Sequence, residues 1–257
     1  MGKLGISNVV NKELFLKLYG EFKTDVEIAK ILNVSKSTIC YFRKNILKLP
    51  QSRDNISLTK NEEEILIGTL LGDSCISYTH SQCRFPKLTF SHSIKQNVYF
   101  LTKYTLLNKL LSSSLIRQYH NKGIIKGKAC NFNPVNYAIG KNLACLKQYR
   151  DIFYPFGIKI IPIDFLQNTF TAQSLAYLFM DDGCKNGKTI NLNLQGFSNA
   201  DLKSFITFLN EKFDIEFLLK ADKTLYLRYK SRDKFYKLII PYITKDTLYK
   251  ITHLSRL

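Results

Sequence analysis

Two segments of this chain repeat one pattern. LIGTLLGDSC begins at Leu66 and LAYLFMDDGC begins at Leu175. Each reads as a short apolar helix ending in an aspartate, Asp73 or Asp182, then a small residue and a cysteine. The segments downstream of the two also match. KLTFSHS and TINLNLQGF alternate polar with apolar residues, as half-buried strands do. Amphipathic helical patterns come next, over residues 97–111 and 199–213. YRDIFYPFGIK and KFYKLIIPYITKDTLYK then run as helices to a proline, followed by a lysine. Each copy therefore reads as helix, strands, helix, strands, helix. A repeat of this length constrains the fold more than any local motif, because copies of one unit tend to stack as copies.

The two acidic helices are apolar almost all round, so both should be buried. Gly68 and Gly72 fall on one face of the first. Glycine there costs about 1 kcal/mol each against alanine, and in return another backbone can approach closely. Ala176 offers a smaller version of that face in the second copy. Helices packed side by side in this way bring Asp73 and Asp182 together at their C-terminal ends. Two carboxylates there repel each other at the negative ends of two helix dipoles. A divalent cation removes both penalties, and carboxylate and carbonyl oxygens suit magnesium.

The charge balance agrees with a polyanionic partner. Lys plus Arg number 38 against 20 Asp plus Glu, a net charge of +18. That excess fits nucleic acid or an anionic membrane surface. A hydrophobic content of 45% excludes a wholly disordered chain. No apolar run approaches the roughly 20 residues of a membrane-spanning helix. MGKLGISNVV has no secretory core and no Arg-rich transit pattern, and Ile6 stands where myristoylation needs Ser or Thr. The six cysteines form no C-x-x-C pair, which argues against a structural zinc site. Reduced thiols and an intracellular compartment are the expectation.

Residues 1–55 read as a separate all-α module and linker. Thr24 and Glu27 form a capping box, with Ile28, Ile31 and Leu32 at helical spacing behind it. Asn33 suits a turn, and Ser35 can cap a second helix, KSTICYFRKNI. Ile39 and Phe42 face inward there, and Lys36, Ser37, Cys40, Tyr41 and Lys44 face out. Two short helices, a tight turn and a basic second helix resemble a helix-turn-helix, whose second helix enters the major groove. LPQSRDNISLT, near residues 49–59, reads as a linker.

LIGTLLGDS and LAYLFMDDG together resemble the paired motifs of LAGLIDADG homing endonucleases, and SLAYLFMDDG followed by NLNLQGF is most similar to the I-SceI branch of single-chain, intron-encoded enzymes. The resemblance covers about residues 60–257 and leaves the head as an addition. It implies an α+β fold of two pseudo-symmetric αββαββα halves, 56–165 and 166–257, forming a saddle of antiparallel sheets. It implies a monomer that straddles a long double-stranded DNA target and cuts both strands with magnesium, or with manganese in its place. The eighth motif positions, Asp73 and Asp182, are then the catalytic, metal-holding carboxylates, and Asp181 at the seventh position ranks below them. The family's basic residue in each site maps best onto Lys159, in GIKIIP, and Lys250, in TLYKIT, although Thr252 stands where a proline is usual.

Target contacts should come from strand faces. Lys87, Thr89 and Ser91 oppose Leu88 and Phe90. Thr189, Asn191, Asn193 and Gln195 oppose Ile190, Leu192 and Leu194. Tyr226, Arg228 and Lys230 form a third edge, with Leu227 and Tyr229 inward. Two other functions compete. An RNA maturase of this fold would bind its host intron RNA, and splicing needs no hydrolytic carboxylates. A non-catalytic regulator would act through the head and leave the acidic pair without a purpose. An intein is disfavoured because no flanking splicing block is visible. A mitochondrion or chloroplast is the expected compartment if the gene is organellar, and otherwise the cytoplasm or nucleoid.

Overall fold

The computed structural model describes residues 10–251, apart from positions 22, 50, 52–55, 120, 121, 126, 127 and 132. The middle of the expected linker, 52–55, lies outside the described residues.

The described residues begin with three short helices, α1 (Lys12–Gly20), α2 (Asp25–Ile31) and α3 (Lys36–Tyr41), the last running on through a π-helical turn, Phe42–Ile46. Each start is chemically marked. The Asn11 and Ser35 side chains accept from the backbone of Leu14 and Thr38, and Thr24 and Glu27 form the expected capping box. Asn33 takes a left-handed conformation (φ 52°) between α2 and α3, a geometry asparagine tolerates better than most residues. Val10, Phe15, Leu18, Ile28, Ala29, Ile39 and Phe42 form a core of their own, separate from that of the body. Arg43 is buried with Asp25 in a fork of two bonds, Nε to Oδ1 at 2.8 Å and Nη2 to Oδ2 at 2.9 Å. Cys40 was expected to face out, yet its thiol donates to Asp25 Oδ2 at 3.0 Å. Asp25, at the start of α2, draws it inward.

The body then runs α4 (Lys60–Leu71), β1 (Cys75–Ser77), β2 (Lys87–Ser93), α5 (Asn97–Leu106), β3 (Leu111–Tyr119), a hairpin of β4 (Lys122–Ile125) and β5 (Lys128–Asn131), β6 (Val135–Gly140) and α6 (Leu146–Phe153). A bridging helix, α7 (Ile163–Thr169), leads to the second copy: α8 (Ala172–Asp182), β7 (Gly183–Asn186), β8 (Thr189–Leu192), α9 (Asn199–Phe213), β9 (Phe217–Leu219), β10 (Leu225–Leu227) and α10 (Arg232–Ile239). Without the β4–β5 hairpin, both copies are αββαββα. The two four-stranded antiparallel sheets have one topology, β1-β2-β6-β3 and β7-β8-β10-β9. Their registers also match: Cys75 lies opposite Thr89, and Cys184 lies opposite Asn191.

The repeat is held together by α4 against α8. Ile65 through Leu71 are all buried, and so are Ser174 through Asp181. A Cβ at Gly68 would sit 2.3 Å from the Ser174 carbonyl oxygen, and one at Gly72 would sit 2.5 Å from Asp181 Cβ. Both glycines therefore serve the close approach expected of them. On α8, the residue that meets Gly68 is Ser174. The Ser174 hydroxyl donates to the Glu64 carbonyl at 2.8 Å, and Thr171 donates to the Glu64 carboxylate at 3.0 Å, tying the two helix starts together.

Candidate active site at the paired helix ends

The α4–α8 packing carries both motif aspartates to one end of the helix pair. Asp73 lies just past the end of α4, and its side chain is 44% exposed. Asp182 is the last residue of α8 and is half-buried. Desolvation lifts the Asp73 carboxyl to about 6, helped by the charge of Asp181. Desolvation, with Asp73 and then Asp181 adding to it, lifts Asp182 to about 7. Lys159 and Lys250 pull both values back. Two carboxylates raised above their ordinary range and sharing two lysines form an electrostatically loaded centre.

The lysines occupy matching places. Lys159 Nζ donates to the carbonyls of Gly72 (2.8 Å) and Ser74 (3.3 Å), on either side of Asp73. Lys250 Nζ donates to the carbonyls of Met180 (2.5 Å) and Asp181 (2.9 Å), just before Asp182. Each ammonium thus closes the carbonyl end of one motif helix, where positive charge is favoured. Burial lowers the affinity of both for their protons, and the aspartates restore part of it.

Asp181 is the residue whose importance the sequence conceals. Its carboxylate is fully buried. Oδ1 accepts from Tyr99 OH (2.6 Å) and Lys103 Nζ (3.0 Å), and Oδ2 accepts from Thr69 Oγ1 (2.7 Å) and the Asp73 N–H (3.2 Å). Lys103 Nζ also donates to Thr69 Oγ1 at 2.5 Å. Burial alone would raise the Asp181 carboxyl; the Lys103 ammonium and the hydroxyls hold it below its ordinary value. His92 sits beside this cluster, Nδ1 3.8 Å from Asp73 and Nε2 3.6 Å from Asp181. Burial, then Lys103, pushes the imidazole down to about 3, so it is neutral. Its buried Nε2 has no hydrogen-bond partner. Two signals were available in the sequence. Alternation in KLTFSHS places His92 in the inward row with Leu88 and Phe90. Lys103 falls on the same α5 face as Tyr99 and Phe100.

Ligating atoms of Asp73, His92 and Asp181 lie within 4.8 Å of one another. Of this set, the Asp73 carboxylate and the unpartnered His92 nitrogen are available to a divalent cation, while the Asp181 oxygens already accept from Tyr99, Lys103, Thr69 and the Asp73 N–H. Asp182 stands beside that set, close enough to feel the Asp73 charge.

The strand-face residues divide. Lys87, Ser91, Asn191 and Asn193 are partly exposed, and Gln195 is exposed. Thr89 is 6% exposed, because it lies opposite Cys75 and its hydroxyl is 3.0 Å from that thiol. Thr189 is also buried, donating to the Leu227 carbonyl at 2.8 Å. The third edge differs from the expectation. β10 ends at Leu227, and Tyr229 begins a 3-10 turn, so it is 56% exposed instead of inward. Arg228 and Lys230 leave the strand as well, and both pair with Glu216 at the surface. In the head, Lys36, Ser37 and Lys44 are exposed and Tyr41 is half-buried.

Residues 63–238 match the LAGLIDADG DNA endonuclease family. The chain belongs to that family. A curated relative, the probable intron-encoded endonuclease 1 of Wickerhamomyces canadensis, is 31% identical over 219 residues, which is 76% of this chain and 85% of that protein. The cytochrome b mRNA maturase bI2 of Saccharomyces cerevisiae is 26% identical over 227 residues, 80% of this chain and 51% of that longer protein. Among solved structures, the homing endonuclease I-WcaI bound to its DNA recognition sequence is similar with a TM-score of 0.66 and 27% identity, over 83% of this chain and 92% of that one.

Proposed function

We propose that this LAGLIDADG protein is a site-specific homing endonuclease that hydrolyses one phosphodiester bond in each strand of a long DNA target. The observation that carries this reading is the pairing of Asp73 with Asp182, each carrying a lysine-capped carbonyl end. The DNA-bound I-WcaI complex supports the choice of duplex DNA as substrate. Magnesium, held by Asp73 and Asp182, would lower the pKa of a bound water and neutralise charge on the scissile phosphate. The residues present do the rest. Asp73 and Asp182 supply negative charge at two adjacent points. Lys159 and Lys250 supply point-charge donors that polarise water or steady developing charge. Asn191, Asn193 and Gln195 offer amides to base edges; Lys87, Ser91, Arg228 and Lys230 offer contacts to phosphate.

The test is cleavage of the intron-less insertion site. Asp73→Asn or Asp182→Asn should abolish double-strand cleavage in magnesium while calcium-supported binding stays near wild type, because affinity comes from the sheets. Excess chelator should stop the reaction. Full cutting by either variant removes that aspartate from the chemistry.

The likeness to the bI2 maturase favours one second reading, assistance to splicing of a host intron RNA. An in vitro splicing assay with Asp182→Asn separates the two: retained splicing with lost cleavage would mean both activities share the fold.

A further inference from the structure

The two halves carry different side chains at positions that their registers make equivalent. Thr89 and Asn191 are equivalent, each opposite the cysteine that follows its motif. At the same spacing, His92 matches Leu194, Tyr99 matches Asp201, and Lys103 matches Phe205. Lys103 and Phe205 are both fully buried, in equivalent helices. The first half has thus placed a lysine, a tyrosine hydroxyl and a histidine where the second half is largely apolar. Such groups are costly inside a protein unless they find partners. The lysine and the tyrosine hydroxyl share one partner, Asp181, which comes from the other half, while His92 Nε2 stops 3.6 Å from it. The equivalent of Asp181 in the first motif is Gly72, which has no side chain.

The aspartates also differ in their support. Asp182 ends its helix from within. Asp73 lies beyond Gly72, whose backbone has left the helix at φ −94° and ψ −132°. The backbone N–H groups of Gly72 and Ser74 still bond Gly68 and Thr69, but that of Asp73 is taken by Asp181 Oδ2. Gly72 can offer nothing comparable to Asp182.

We propose that Asp181, clamped by Lys103, Tyr99 and Thr69, is a positioning residue whose side-chain hydrogen bond holds Asp73 and not Asp182, so that the two nuclease centres are inequivalent and the two DNA strands meet differently supported carboxylates. The proposal rests on the endonuclease reading for its strand-specific consequence, but not for the hydrogen bond itself.

The test variant is Asp181→Leu with Lys103→Met in the full chain. It removes both charges together, so neither is left buried without its partner. The Tyr99 hydroxyl keeps the Tyr177 carbonyl at 3.3 Å, and Thr69 keeps Ser74 at 2.7 Å. Cleavage of an insertion-site duplex, each strand end-labelled separately, should slow on one strand by on the order of tenfold or more, the scale of one lost charge-assisted hydrogen bond. The other strand should stay within about twofold, and binding in calcium should be unchanged, well below that scale. Asp181→Asn keeps the size and one acceptor, and should slow the same strand less. A second readout needs neither metal nor cleavage: amide exchange of Asp73 in metal-free protein should speed up on the order of tenfold in the double variant, with Asp182 unaffected. Equal slowing of both strands, or an Asp73 amide exchanging at the wild-type rate, overturns the proposal. If the wild-type chain cuts no DNA, the endonuclease reading fails and the exchange measurement still decides this one.

Discussion

At the scale of single residues, the site is a set of carboxylates held out of their comfortable state. Asp182 is lifted to about 7, well above the value of an unfolded aspartate near 3.9. A carboxyl raised by folding stabilises the native state at low pH, and that contribution is lost as pH rises through the folded value. Metal-free Asp182→Asn should therefore melt at a higher temperature than wild type above pH 7, and the gap should narrow as pH falls and close only near the unfolded value, about 4. The protonation of His92 is common to both proteins and cancels in the difference. Calcium should raise the melting temperature of wild type and do less for the variant. A gap that is constant with pH would show that Asp182 is not strained. The pair Asp73 and Asp182 was legible because each motif ends on its aspartate. Asp181 was legible only as a neighbour. Its network is assembled from residues of the other half, such as Tyr99 and Lys103, and a pattern read along the chain cannot show what arrives from across a packed interface.

At the scale of elements, helix starts and the apolar motif helices followed directly from the sequence, because capping side chains and periodicity are local. Thr24 and Ser35 each cap the helix that starts after them. The 97–111 helix was less legible: α5 stops at Leu106, and a 3-10 turn leads into β3 at Leu111. The inward assignment of Tyr229 failed because alternation holds only while the chain remains a strand. The glycines of α4 are the strongest element-scale claim. Gly68→Ala gains about 1 kcal/mol of helix propensity. It also drives a methyl into the Ser174 carbonyl, a backbone atom that cannot rotate aside. The collision should dominate, with a net loss of about 1–3 kcal/mol. Urea unfolding measures it directly. A neutral or stabilising Gly68→Ala would mean that α4 and α8 are free to slide apart.

At the scale of the whole molecule, the body contains both αββαββα halves and both aspartate–lysine sets, and no described residue of the three-helix head lies in either centre. Its core is its own, and its internal fork between Arg43 and Asp25 holds α2 against the turn that follows α3. Lys36 and Ser37 of α3 and Lys44 of the π-helical turn after it remain exposed. We propose residues 1–55 as a tethered DNA-binding module flanking the saddle, with 56–165 and 166–257 as the two nuclease halves. Tethering raises the local concentration of the module at its flank without new contacts in the body. Deleting residues 1–55 should leave the cleavage rate at saturating protein unchanged, weaken binding, and shorten the protected footprint at one end. It should also flatten the dependence of binding on salt, since each lost phosphate contact removes about 0.9 from the log–log slope on duplex DNA. A head that only braces the body predicts the reverse: an unchanged footprint and salt slope, with a lower melting temperature. Footprinting both proteins across a salt series distinguishes the two.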